Sequence, residues 1–165
     1  MKRVRWLISI SLILLLAIGL QPVSVVSQSN AETEQQVNNE LTHDQITALT
    51  DQFMRILVQD TDSNYKVVNY NLKEALLTAF EQVTIREVAI DFVDFYYREK
   101  ADGLYILPTE TPPWFEKDNK YRLEQWGQNK VKVVQTNHSY LHDTYTIEFE
   151  FTFDDEWKIT NITAQ

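Results

Sequence analysis

The sequence predicts an α+β domain in which three helices pack on a curved, mainly antiparallel sheet. Three observations carry this. Apolar residues recur at three- and four-residue spacing between Ile46 and Tyr96, and after Gly103 the period falls to two. The longest alternating run sets Tyr145, Ile147, Phe149, Phe151 and Phe153 against Thr144, Thr146, Glu148, Glu150 and Thr152, giving one apolar and one polar face. Helices that precede an antiparallel meander, rather than alternating with its strands, cover its apolar face in an α+β arrangement.

The elements follow in chain order. Lys2, Arg3 and Arg5 precede the apolar run Leu7–Leu20, and Pro22 breaks it. This is the layout of a secretory signal peptide over residues 1–31, with cleavage after Ser27 or Ala31. An uncleaved anchor is the alternative, although a spanning helix needs about 20 apolar residues. Residues 32–41 are polar and read as a flexible linker to a single domain over 42–165. Thr42 with Gln45 makes a capping box, and Ile46, Leu49, Phe53, Ile56 and Leu57 form the stripe of the first helix. Asn71 with Glu74 opens a second helix faced by Leu72, Leu76, Ala79, Phe80 and Val83. Thr84 with Glu87 opens a third, whose stripe Ile85, Val88, Phe92 and Phe95 is widened by Ala89, Val93 and Tyr96. Strands are expected at Leu104–Leu107, within Lys130–Tyr140, along the long alternating run, and from Trp157 to Thr163. Tyr121–Trp126 fits strand or loop.

Composition excludes several chemistries. Three glycines cannot build a phosphate-cradling loop or a dinucleotide fingerprint. The lack of cysteine excludes disulfides, thiolate metal sites, a cysteine nucleophile and a lipid-modified cysteine. The net charge of −9 disfavours nucleic acid. Loss of Lys2, Arg3 and Arg5 with the signal segment leaves 12 basic against 24 acidic side chains, a net charge of −12. Such a product is repelled by anionic polymers and lipids, which leaves a basic partner, a cation or an apolar contact. Export without cysteine suits a Gram-positive cell envelope.

The segment Pro108-Thr-Glu-Thr-Pro-Pro-Trp-Phe115 stands out. Its three prolines stiffen the chain and remove backbone donors, and two large aromatics follow. Together with the preceding Leu104–Leu107, this octapeptide resembles a family of secreted Gram-positive proteins with no assigned function. The element order and the closing Trp157-Lys158-Ile159 strand resemble the cone-shaped nuclear-transport-factor-like superfamily, whose fold is also described as cystatin-like. That resemblance implies a sheet curled around a cavity open at one end. Some members are enzymes and others bind ligands or partners. No residue here matches the isomerase members' Tyr and paired-Asp constellation, so no catalytic residue is assigned.

Two readings of the proline segment stand side by side. In one, Trp114 and Phe115 plug the end of the core and the prolines hold the crossover. In the other, they form a rigid aromatic shelf, with Glu110 as its charged group and Tyr105 and Tyr97 nearby, for a peptide or a sugar face. Tyr96 and Tyr97, adjacent on the third helix, are expected to point in different directions. Glu87, Asp91, Asp94 and Arg98 share one face of that helix and read as a solvated stripe, with Asp94 and Arg98 as an i, i+4 pair. His138 and His142 are too far apart on a strand, about 13 Å, to share a metal ion. Neither a metal nor a cofactor is expected. The favoured function is a secreted, non-enzymatic domain that binds an envelope protein, peptide or glycan, touching the membrane only if the signal segment is uncleaved. The alternative is a small enzyme, or a carrier of a lipid-like ligand, using the same cavity. An enzyme needs an inward-facing acid, whereas Glu148 and Glu150 share the polar face.

Overall fold

The computed structural model describes residues 40–141 and 143–165, which fall within one compact unit. The expected signal segment, nearly all of the linker and His142 lie outside the described residues. Three helices, α1 (His43–Leu57), α2 (Lys73–Phe80) and α3 (Arg86–Tyr96), precede six strands. These are β1 (Tyr97–Lys100), β2 (Gly103–Ile106), β3 (Arg122–Gln125), β4 (Lys130–Ser139), β5 (Asp143–Asp154) and β6 (Glu156–Ala164). The strands make two antiparallel sheets: a β1–β2 hairpin, and a four-stranded meander in the order β3-β4-β5-β6 that is not closed into a barrel. The architecture is therefore α+β.

The long alternating run is β5, and its register puts Phe149 opposite Val133 on β4 and Ile162 on β6. Phe149 and Phe151 are fully buried, while Glu148 and Glu150 on the other face flank Lys132 at 3.1 and 3.9 Å. That face is also laced by hydroxyl pairs, Thr136 with Thr146 and Thr152 with Thr160, each at 3.0 Å. Threonines and an ion triplet therefore occupy the wet side, and every large apolar group of β5 points the other way. Burying such a face supplies roughly 25 cal/mol per Å² of apolar area removed from water.

The helices cover that apolar face. In α1 the Thr42–Gln45 capping box is present. Phe53 of α1 is the hub, with ring centroids 4.8 Å from Phe80 of α2, 5.0 Å from Phe92 of α3 and 5.0 Å from Trp114. The other two expected capping boxes are absent. α2 begins after Leu72, which is exposed and has no side-chain cap. α3 begins after Ile85, because Thr84 is engaged elsewhere: its hydroxyl donates to Ile159 O at 2.7 Å. Around that contact the chain runs along the outer edge of β6, with Ile159 N–H donating to Val83 O and Ile85 N–H to Ile159 O. Tertiary pairing with a strand outbids a local Thr-x-x-Glu signal. The opposite edge of this sheet, β3, has all four residues exposed.

The third helix is shorter than its periodicity suggests. Tyr97 has extended dihedrals, φ −122° and ψ 148°, and starts β1. The switch from helix to strand turns consecutive side chains inward together, so Tyr96 and Tyr97 are both buried. Gly103 closes the hairpin at φ +145°, where a Cβ would sit 2.7 Å from the Lys66 side chain.

Candidate functional site

The proline segment joins β2 to β3 and crosses the covered face of the meander. Trp114 is half-buried and points inward. Its ring lies 5.0 Å from Phe53 and 5.1 Å from Phe149, and its indole N–H donates to Thr50 O at 3.1 Å. Phe115 is only 7% exposed and packs edge-on to Tyr121 and Phe149. These two aromatics take the core-plugging arrangement.

A polar clamp holds them there. Gln135 and Asn137 occupy the inward phase of β4, in step with Val131 and Val133, and both are buried. Gln135 Oε1 accepts from Glu116 N–H at 2.8 Å, and its amide nitrogen donates to Glu116 O at 2.8 Å and Asn119 O at 3.2 Å. Asn137 donates to Trp114 O at 3.3 Å and accepts from Asn119 at 2.9 Å, and Tyr145 OH also donates to Trp114 O at 2.8 Å. Buried amides that satisfy loop backbone groups in this way set the loop's conformation as firmly as a strand ladder would. The sequence signal for them was the polar interruption of the β4 alternation at positions 135 and 137.

The remaining expected site residues do not converge on Trp114. Tyr97 is fully buried, and its hydroxyl donates to Leu57 O at the end of α1. Burial pushes its phenol well above the ordinary tyrosine value. Tyr105 belongs to the β1–β2 hairpin, with Lys100 Nζ 3.9 Å above its ring and its hydroxyl donating to Asp102 at 2.7 Å. That bond lowers the Asp102 pKa and raises that of Tyr105. Glu110 is exposed, and its backbone oxygen accepts from Tyr96 OH at 3.3 Å.

This last bond ties the proline segment to the end of α3, where the sequence reading missed a residue. Phe95, expected in the core stripe, is 61% exposed. The buried stripe of α3 is centred on Ala89, Val93 and Tyr96, which leaves Phe95 and much of Asp91 on the outer side. Phe95 packs edge-on to Tyr96 at 4.7 Å. With Phe92 and Asp91, these rings line a depression of about 300 Å³. Asp94 does not pair with Arg98. It meets Lys73 of α2 at 2.6 Å, while Arg98 turns back onto the carbonyls of Asp94, Phe95 and Tyr97.

Two larger depressions lie elsewhere. One of about 560 Å³ is lined by Gln52, Arg55, Gln59, Asn69 and Tyr70 at the end of α1, and one of about 530 Å³ borders the acidic β5–β6 turn. Among the described residues, no group of three His, Asp or Glu side chains is placed to hold a metal ion, and no helix is long and apolar enough to cross a membrane. His138 meets Thr144 at 3.2 Å on the wet side of the meander. Compared with protein-family models and with curated proteins, the chain finds no match.

Proposed function

We propose that this is a secreted, non-enzymatic domain that binds a protein, peptide or glycan partner at the cell envelope. Its recognition surface is the outer face of α3 with the proline segment beside it. Phe95 supplies apolar contact, and Glu110, Pro112 and Pro113 supply a rigid margin. Trp114 and Phe115 anchor that margin from within the fold, whereas Tyr97 and Tyr105 make their contacts elsewhere. The same proposal takes the family resemblance of the octapeptide and the cone-shaped superfamily as its context.

One observation carries this reading: a large aromatic ring stands in solvent beside a proline loop that the core anchors through Trp114. Preformed surfaces of that kind lose little entropy on binding. The apolar face of the meander is filled by the protein's own rings, which favours surface recognition over an enclosed ligand or substrate pocket. The test replaces Phe95 with Ser and Glu110 with Gln in the full chain and measures retention of envelope extract on the immobilised protein. Loss of retention with an unchanged melting temperature supports the proposal; retention equal to wild type refutes it.

A further inference from the structure

We infer that the α3–proline face receives a cationic peptide segment carrying an apolar side chain. This inference rests on the reading of that face as the recognition surface and names its partner class.

The charges around Phe95 carry the argument. Asp91 lines the depression one helical turn before Phe95, and Glu87 lies one turn further back on the same side of α3. Glu110 is held beside Tyr96 through its backbone oxygen. Among the described residues, none of these three carboxylates joins an ion pair. Their acidic neighbours do: Asp94 with Lys73, and Glu74 and Glu81 with Arg86. The cation on α3 itself, Arg86, is already held by Glu74 and Glu81, and Arg98 on β1 directs its Nη1 onto three backbone carbonyls. The surface therefore couples an exposed ring to three uncompensated negative charges, in a chain of net charge −9.

That combination selects among ligand classes. Anionic polymers are repelled. A neutral sugar can stack on the ring but leaves the carboxylates without partners. A lysine- or arginine-bearing peptide meets both features, placing an aliphatic side chain in the depression and a cation over the carboxylates or the Phe95 face. Attraction of this kind acts within a Debye length of about 8–10 Å and weakens as salt rises.

The test uses the full chain and three fluorescent probes: a short peptide of alternating lysine and leucine, its glutamate–leucine counterpart, and a neutral N-acetylglucosamine oligomer. Binding is read by anisotropy at low and high salt. Two charge variants are compared. Glu87→Gln/Asp91→Asn/Glu110→Gln alters this face. Asp154→Asn/Asp155→Asn/Glu156→Gln removes the same number of charges at the β5–β6 turn.

The expected result is that the lysine peptide binds and the glutamate peptide does not. Affinity should fall by about tenfold in the first triple variant and in Phe95→Ser, the scale of losing a few exposed charge contacts or one apolar anchor. The second triple variant should keep wild-type affinity. Equal weakening by both triple variants, or no binding of the lysine peptide, overturns the inference. If the sugar oligomer binds instead and depends on Phe95, the inference falls while the recognition reading stands. If Phe95→Ser changes no probe's binding, both fall.

Discussion

Trp114 in the proline loop and Phe95 in the last turn of α3 meet opposite fates. Trp114 sits between α1 and β5, with its N–H bonded to Thr50 O and its own carbonyl accepting from Tyr145 and Asn137. Phe95 touches one ring, that of Tyr96, and faces water. Residue type does not separate them, since both are large aromatics. What separates them is the polar company each has: a loop aromatic with its backbone clamped is interior structure, and a helical aromatic one turn past a lone carboxylate is surface.

The largest way to break this contrast is Trp114→Ala. It deletes a ring packed on three others and the indole N–H bond to Thr50 O, so a loss of about 3–5 kcal/mol is expected in thermal or urea unfolding. A loss under about 1 kcal/mol would mean that the ring is not part of the core.

Next comes Gln135→Leu, which leaves Glu116 N–H and Asn119 O without partners, while Glu116 O keeps the Asn119 N–H at 3.0 Å. The expected cost is about 1–3 kcal/mol, with faster proteolysis between Trp114 and Asn119. If urea unfolding of this variant matches wild type, the clamp does not hold the loop.

Tyr97→Phe removes one buried hydroxyl donor and should cost about 1 kcal/mol at neutral pH. Its pH profile sharpens the point. The native state holds the Tyr97 proton because burial disfavours the phenolate, whereas the unfolded chain releases it near pH 10. The contribution is therefore complete below that pH and shrinks as pH climbs beyond it. Wild type should lose stability more steeply than Tyr97→Phe in alkaline urea melts; parallel curves would show that Tyr97 is wet.

The smallest expected effect is on the other side of the comparison. Phe95→Ser should move stability by no more than about 0.5 kcal/mol, because little contact is lost. A melting temperature that drops as it does for Trp114→Ala would place Phe95 in the core after all.

Much of the architecture was legible. The period of two from Tyr145 to Phe153 required β5, because no other conformation puts five large apolar groups on one side. The Thr42–Gln45 box marked α1 for a local reason, the satisfaction of its first free N–H groups. The failures share a cause. Thr84 resembles a cap but bonds to Ile159, 75 residues away in the sequence. Tyr97–Lys100 carries helix-compatible residues, yet pairs with Gly103–Ile106 as β1. Phe95 fits the i+3 stripe, but the side of α3 that packs inward is that of Ala89, Val93 and Tyr96, and Phe95 lies off it. In each case tertiary packing overrode a short-range pattern. Within the octapeptide the aromatics and the charge part company: Trp114 and Phe115 go in, and Glu110 stays out.

The two margins of the four-stranded meander are unequal. Residues Val83–Ile85 pair with Ile159 on the rim of β6, whereas no described residue pairs with the outer rim of β3. A second molecule joining by backbone bonding has one rail to dock on, and the molecule that docks brings its own single rail. Association through that rim alone ends at a pair, because each molecule brings one such edge.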